Sequence, residues 1–114
     1  MEDVEDQERA DRFAKTLDRI WAKFLPEILE RVTVLERAAV AFDAHKLTAS
    51  QQEAAHDAAH KLAGVLGTFN LARCTGLARE LEVAYGGKEG PDPALSPRLA
   101  AITIELRAII EGRE

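Results

Sequence analysis

Apolar residues recur at intervals of three and four positions along most of the chain, and this spacing limits the fold more than any other feature. Side chains spaced in this way share one face of an α-helix. The first such stripe contains Phe13, Leu17, Ile20, Trp21 and Phe24. Because 114 residues provide room for one hydrophobic core, the pattern predicts a single all-α domain over residues 1–114.

A proline interrupts the pattern after this first stripe. Pro26 either occupies the first turn of a new helix or kinks a continuous one. Helical spacing resumes with Ile28, Val32, Leu35, Ala39 and Phe42, and the segment 43–46 ends it. The acidic residues within 1–8 either suit the positive end of a helix dipole or fray in solvent.

Capping signals mark the start of the next helix. Two overlapping capping boxes are present, Thr48 with Gln51 and Ser50 with Glu53. The helix is expected to run from about Ser50 to about Phe69. The helix after it carries the apolar positions Leu71, Cys74, Leu77, Ala78, Leu81 and Tyr85 and stops at Gly86-Gly87.

Residues 86–93 are predicted to form the loop before the last helix, because glycine and proline dominate them. Ser96 and Pro97 fit the N-cap and first residue of that helix. It presents Leu99, Ile102, Leu106 and Ile109 on one side. The short middle connections favour antiparallel neighbours. The predicted fold is an antiparallel up-down four-helix bundle with an additional N-terminal helical segment.

Charge and composition exclude several classes of protein. The formal net charge of −5 disfavours a nucleic-acid partner, which needs a basic surface. The acidic N-terminus does not resemble a signal peptide, and no apolar run is long enough to cross a membrane. Cys74 cannot form an internal disulfide and lies on an apolar stripe, so we expect it in the core. We therefore expect a cytoplasmic domain without membrane contact and, because no second apolar face is visible, a monomer.

The segment from Glu53 to Phe69 has two different faces. At about 100° per residue, the apolar face contains Leu62, Val65, Leu66 and Phe69 with Ala55 and Ala58. The opposite face is centred on His60 and contains Glu53, His56, Asp57, Ala63, Gly64 and Gly67. Each helical glycine destabilises the helix by about 0.5–1 kcal/mol relative to alanine. Close approach of a partner to the backbone beside His60 would explain both glycines, so this face is a predicted docking surface.

Other chemistries fit this face less well. His56 and His60 stand one turn apart with Asp57 between them, but a metal site needs a further convergent ligand, so no metal is expected. Neither Cys74 nor any serine has the base and orienting group of a nucleophilic triad. No glycine-rich nucleotide loop is present. On composition alone, His60 as an ordinary surface histidine is the alternative.

Residues 59–82 carry a resemblance to a known family. They include Ala59-His60-Lys61-Leu62-Ala63-Gly64-Val65-Leu66-Gly67-Thr68-Phe69-Asn70-Leu71 and, after a short gap, Leu77-Ala78-Arg79-Glu80-Leu81-Glu82. This sequence resembles the signature of histidine-containing phosphotransfer (HPt) domains, roughly A-H-x-L-K-G-x-x-x-x-x-G followed by a helix ending near L-E. His60, Leu62 and Gly64 match it at the spacing of the family.

Two positions depart from the family pattern. Ala63 replaces the lysine that commonly lies near the phosphoryl group, and Lys61 is an imperfect substitute because it lies about 100° around the helix from His60. Asn70 replaces the glycine that usually ends the helix, and asparagine also tolerates a left-handed C-cap. In a hairpin that turns near residue 70, residue 79 or 80 lies level with His60. Arg79 is therefore a candidate second phosphate contact.

The resemblance implies a phosphorelay function. His60 would accept a phosphoryl group from a receiver-domain aspartate and pass it to another receiver. We expect six further residues around the phosphate or on the docking surface, namely Lys61, Gly64, Gly67, Arg79, His56 and Ala63. Expected partners are response-regulator receiver domains, a hybrid sensor histidine kinase, or both.

The resemblance also implies which chemistry the chain itself lacks. The receiver is expected to bind Mg²⁺, and this domain is expected to bind no cofactor. The domain is also expected to have no kinase or hydrolase activity of its own. The alternative function is a helical adaptor that binds a receiver without accepting phosphate, which the missing lysine at Ala63 favours.

Overall fold

A computed structural model describes residues 2–113, with side chains from residue 3 onward. It contains four α-helices, α1 (Glu2–Asp43), α2 (Ala49–Thr68), α3 (Ala72–Tyr85) and α4 (Ser96–Gly112), and a 3₁₀ turn (Pro93–Leu95) before α4. Within residues 2–113 no strand is present, which confirms the all-α prediction. No helix in this range combines the length and the apolar content needed to cross a membrane.

The predicted N-terminal segment and the first bundle helix are one continuous helix. Pro26 lies inside α1, which runs unbroken through 42 residues. At 1.5 Å per residue such a helix is about 63 Å long, which accounts for the 62 Å long dimension of the molecule. Residues 2–8 already belong to α1, and Met1 lies outside the described residues.

The helices pack in an antiparallel bundle, as predicted. α1 and α3 each contact both α2 and α4. Ser96 at the start of α4 donates a hydrogen bond to Asp43 at the end of α1, with 2.9 Å between Oγ and Oδ1. Arg98 of α4 donates a hydrogen bond to Glu80 of α3, with 2.6 Å between Nε and Oε2. This contact also joins the start of one helix to the later turns of its neighbour.

A single core fills the space between the helices. Its fully buried side chains include Ile28, Leu35, Leu62, Leu66, Leu81, Leu99, Ile102, Leu106 and Ile110. Cys74 is fully buried as predicted, and burial raises the pKa of its thiol. At one end, the Trp21 ring packs edge-to-face on Phe69 with 5.0 Å between centroids. The guanidinium of Arg113 lies 4.7 Å from the Trp21 centroid and closes that end of the core.

The first of the two predicted capping boxes starts α2. The Thr48 hydroxyl accepts the backbone N–H of Gln51 at 3.1 Å, and the Gln51 side chain accepts the backbone N–H of Thr48 at 2.9 Å. Ser50 and Glu53 form no box because both already lie inside the helix. The helix therefore begins one residue earlier than expected, at Ala49.

Thr48→Ala should lower the free energy of unfolding by about 1 kcal/mol, because it removes the side-chain acceptor at the helix start. Ser50→Ala is the matched control and should change stability by less than about 0.5 kcal/mol. Urea unfolding followed by the fluorescence of Trp21, the single tryptophan, measures both. Equal losses in the two variants would contradict this assignment of the cap.

Asn70 ends α2 in the predicted left-handed conformation, with φ of 61°. The backbone N–H of Leu71 donates to the Leu66 carbonyl at 3.3 Å, and that of Asn70 donates to the Gly67 carbonyl at 3.3 Å. These two bonds form a Schellman motif, which satisfies the last carbonyls of the helix. The turn is tight enough for α3 to begin at Ala72 and pack back along α2.

The start of α4 differs from the prediction. Ser96 is the first helical residue and not the N-cap, because the 3₁₀ turn before it leaves Leu95 already in a helical conformation. Asp92 caps that turn instead, and its carboxylate accepts the backbone N–H of Ala94 at 2.9 Å. The irregular segment is therefore 86–92, one residue shorter than expected.

Candidate functional site

The exposed face of α2 presents His60 beside an open stretch of backbone. The His60 side chain is 63% exposed. A Cβ atom added at Gly64 would meet nothing within 4 Å, and one added at Gly67 would meet only the Thr75 hydroxyl, at 3.9 Å. Packing within the domain therefore does not require either glycine. The docking surface next to His60 stays a prediction.

Ala63 does not belong to this face, contrary to the prediction. It is only 1% exposed and joins the hydrophobic core, whereas Val65, predicted to be a core residue, is only partly buried. The core-facing arc of α2 is rotated toward Ala63 because α2 makes its most extensive contact with α3. A small side chain at 63 allows this close packing. Position 63 therefore offers no exposed group near His60.

Glu82 of α3 lies against His60. Its Oε2 is 2.6 Å from Nδ1 of the imidazole. Hydrogen bonds from His60 and then from Arg79 hold the pKa of Glu82 below its ordinary value, so the carboxylate is ionised at neutral pH and only accepts. Nδ1 must then carry the proton in this hydrogen bond. In a neutral imidazole this leaves the lone pair on Nε2.

Arg79 reaches the same site through Glu82. Its Nη1 donates to Glu82 Oε1 at 3.1 Å, while the other oxygen of that carboxylate accepts from His60. The structure thus brings together His60, Glu82 and Arg79 from two helices. The Arg79 side chain is 57% exposed, so it has room to change rotamer.

Lys61 pairs with a carboxylate of its own helix. Its Nζ lies 3.0 Å from Asp57 Oδ2, one turn earlier on the same helix. The hydrogen bond from Lys61 holds the pKa of Asp57 below its ordinary value. Lys61 is thus paired with a carboxylate in this structure, and any phosphate at His60 competes with Asp57 for it.

His56 lies in a separate groove between the first turns of α2 and the end of α3. Its ring atoms are 3.3 Å from the place that a Cβ of Gly86 would occupy. The groove, about 280 Å³, is also lined by Gln52, whose amide donates to the backbone carbonyls of Tyr85 at 3.1 Å and Gly87 at 2.7 Å.

Among the described residues no group of three or more His, Cys, Asp or Glu is arranged to hold a metal ion.

Comparison with known proteins identifies the family. Residues 19–112 match the family model described as Hpt domain. The chain belongs to the Hpt domain family. Over 95 residues it is 33% identical to Protein RcaC of Microchaete diplosiphon, an alignment that covers 83% of this chain and 15% of that protein. No solved structure matches the chain significantly.

Membership of this family links the chain to phosphorelay in general, and domains of the family interact with receiver domains and kinases. The match covers the four-helix bundle and the whole face around His60. It begins at residue 19 and so omits the first turns of α1.

Sequence reasoning missed Glu82 as a member of this site. It placed residue 79 or 80 level with His60, whereas the contact is made by residue 82. Helical side chains tilt toward the N-terminus of their helix, so a residue further along α3 reaches back to the level of His60. Arg79 and Glu82 stand three residues apart, a spacing at which opposite charges pair on one face of a helix. That spacing was the signal in the sequence that Glu82 shares a face with Arg79.

Proposed function

We propose that His60 accepts a phosphoryl group from the aspartyl phosphate of a receiver domain and passes it to a second receiver. The observation that carries this proposal is the exposed imidazole of His60, whose Nδ1 is hydrogen-bonded to Oε2 of the Glu82 carboxylate at 2.6 Å. The signature around His60 and the membership of the Hpt domain family support it.

In the forward step, the Nε2 lone pair attacks phosphorus in line with the departing aspartate oxygen. The phosphorus–nitrogen bond forms, the phosphorus–oxygen bond breaks, and the aspartate leaves as a carboxylate on the receiver. The ring gains positive charge as the bond forms. The Nδ1 proton stays in its hydrogen bond to Glu82, and the negative carboxylate stabilises that charge.

The chain contributes mainly a positioned nucleophile. The receiver supplies the Mg²⁺ that neutralises the negative charge of the phosphoryl group. Gly64 and Gly67 leave room for the receiver beside His60. Arg79 is one candidate cation for the bound phosphoryl group, because it already contacts the carboxylate that holds His60. Lys61 is a second candidate.

The alternative is an adaptor that binds a receiver without accepting phosphate. The observation that favours it is the buried Ala63 where the family commonly has a lysine, with Lys61 paired to Asp57. The two functions differ in one outcome. After contact with a phosphorylated receiver, a relay carries the phosphate, whereas an adaptor leaves it on the receiver.

Glu82→Gln should slow transfer to His60 by about tenfold or more, the effect seen when a residue that orients a metal-bound imidazole is changed. The amide keeps the shape of the side chain but removes its charge. Nitrogen-15 NMR of the imidazole should show the Nδ1–H tautomer of His60 in the original chain and a mixture of tautomers in the variant.

Glu80→Gln is the control for this experiment. Glu80 lies on the same helix but pairs with Arg98 of α4 at 2.6 Å, away from His60. It should leave both the transfer rate and the tautomer unchanged. Equal transfer rates in the two variants would show that Glu82 does not position the imidazole.

A further inference from the structure

The hydrogen bond between His60 and Glu82 is made by the ring nitrogen that does not react. Nδ1 of His60 lies 2.6 Å from Oε2 of Glu82, and the ionised carboxylate accepts the proton that Nδ1 carries. The phosphoryl group would be bound to Nε2, on the other side of the ring. The carboxylate therefore faces the one position of a phosphorylated imidazole that still gains or loses a proton.

The protonation state of a phosphorylated imidazole decides how readily the ring leaves. If Nδ1 carries a proton, breaking the phosphorus–nitrogen bond returns the electron pair to Nε2 and releases a neutral ring. If Nδ1 has lost its proton, the same step releases an imidazolate anion unless a proton is supplied at the same moment. This difference is why a phosphate on histidine is labile in acid and stable in base.

Glu82 is the carboxylate in contact with this ring. Its second oxygen, Oε1, accepts from Nη1 of Arg79 at 3.1 Å. Other charged or titratable groups line the neighbouring grooves, namely Glu27, Glu30 and Arg31 on α1 and Glu53, His56, Asp57 and Lys61 on α2. The Asp57 carboxylate is paired with Lys61 at 3.0 Å. Because an anion held against a ring nitrogen favours the protonated ring, Glu82 is the group placed to set the charge of the imidazole.

We propose, on the basis of the transfer proposed above, that Glu82 keeps the phosphorylated ring of His60 protonated at Nδ1 and so makes the phosphoryl group easier to pass on. In the onward step, a carboxylate oxygen of the second receiver attacks phosphorus, the phosphorus–nitrogen bond breaks, and its electron pair returns to Nε2. The ring leaves as the neutral tautomer with a proton on Nδ1. That proton stays in place through both steps, so His60 is ready for the next phosphoryl group.

The lifetime of phosphate on His60 tests this role without a receiver. Phosphoramidate is a small donor whose phosphorus–nitrogen bond breaks as Nε2 attacks, with ammonia as the leaving group. The experiment uses a chain with His45→Asn and His56→Gln, in which His60 is the single histidine. Asparagine suits position 45 because φ there is 56°. Phosphorus-31 NMR then follows the half-life of the phosphate from about pH 5 to about pH 9, a range that spans the ordinary titration of imidazole.

Glu82→Gln in this chain should lengthen the half-life by about tenfold at about pH 8, where the ring needs the carboxylate to stay protonated. At about pH 5 the half-life should be nearly unchanged, because the ring is protonated without help. Glu80→Gln is the matched control, since Glu80 pairs with Arg98 at 2.6 Å, and it should follow the unmodified profile at every pH.

Three results would overturn the proposal. They are equal half-lives of the Glu82→Gln and Glu80→Gln chains at about pH 8, a shorter half-life after Glu82→Gln, and a lengthening of the same size at every pH. A purely structural role of Glu82 would give the last of these.

Loading by phosphoramidate separates this role from the relay itself. If receivers label His60 but the half-lives of the two variants coincide, the relay stands and the role of Glu82 in release is refuted. If no receiver labels His60 while the half-lives differ as expected, the effect of Glu82 on the ring stands and the relay is refuted.

Discussion

His60→Gln is expected to abolish acceptance of phosphate from every receiver while leaving the bundle folded. Glutamine retains a polar side chain that reaches Glu82, but its amide nitrogen has no lone pair available to attack phosphorus. The His60 side chain is 63% exposed, so its replacement should change the free energy of unfolding by no more than about 1 kcal/mol. Radiolabel transfer from a phosphorylated receiver and urea unfolding measure the two effects on the same sample.

His56→Gln is the control for this result. His56 is the other histidine on the exposed side of α2, and it lies in the groove beside Gly86 rather than beside Glu82. Transfer to this variant should keep nearly the original rate, because the structure places His56 in a groove separate from the His60–Glu82 pair, contrary to its predicted place on the docking surface. If the chain still accepts phosphate after His60→Gln but not after His56→Gln, the phosphate acceptor is His56, one turn earlier on α2.

Gly64→Leu should slow transfer by about tenfold to a hundredfold and at the same time stabilise the domain. An added Cβ at this exposed position meets no atom of the domain within 4 Å, so the substitution starts into open space. Replacing a helical glycine should raise the free energy of unfolding by about 0.5–1 kcal/mol. The isobutyl group would stand one turn after His60, where it holds the receiver away from the reacting nitrogen.

A variant that is more stable and slower separates a docking effect from a folding defect. Gly112→Leu serves as the control because Gly112 also has nothing within 4 Å of an added Cβ but lies at the end of α4. It should transfer at the original rate. The docking account fails if Gly64→Leu transfers as fast as Gly112→Leu in the same receiver titration.

Local chemistry was enough to predict much of this fold. Apolar spacing places the helices, Thr48 with Gln51 identifies the start of α2, and Asn70 identifies its left-handed end. Each of these depends on contacts within a few residues, which a single sequence contains. The exposure of His60 follows from the same periodicity, because the residue lies opposite Leu62 and Leu66 on the helix.

What the sequence left undetermined depends on contacts between elements. The burial of Ala63 follows from how closely α2 packs on α3, since a residue at the edge of an apolar arc is covered or exposed according to its neighbour. The contact between Glu82 and His60 depends on the register of two helices, which the turn at Asn70 sets. Ser96 did not cap α4 because the preceding 3₁₀ turn is itself capped by Asp92.

Helix length explains the remaining difference. Periodicity assigns Phe13, Ile20 and Trp21 to one apolar stripe, but only Trp21 meets the end of α2 and the C-terminal Arg113. Whether an apolar position on a long helix is covered depends on where its shorter neighbours end. α2 and α4 are each less than half the length of α1, so part of its stripe stays exposed.

The central claim is that phosphate moves from a receiver aspartate to His60, and one measurement addresses it directly. The chain is incubated with a panel of phosphorylated receiver domains, and any label is tested for acid and base stability and mapped by mass spectrometry. The account predicts an acid-labile, base-stable phosphate on His60 together with loss of phosphate from the receiver. A receiver that binds the chain and keeps its phosphate, or a label on any other residue, would contradict it.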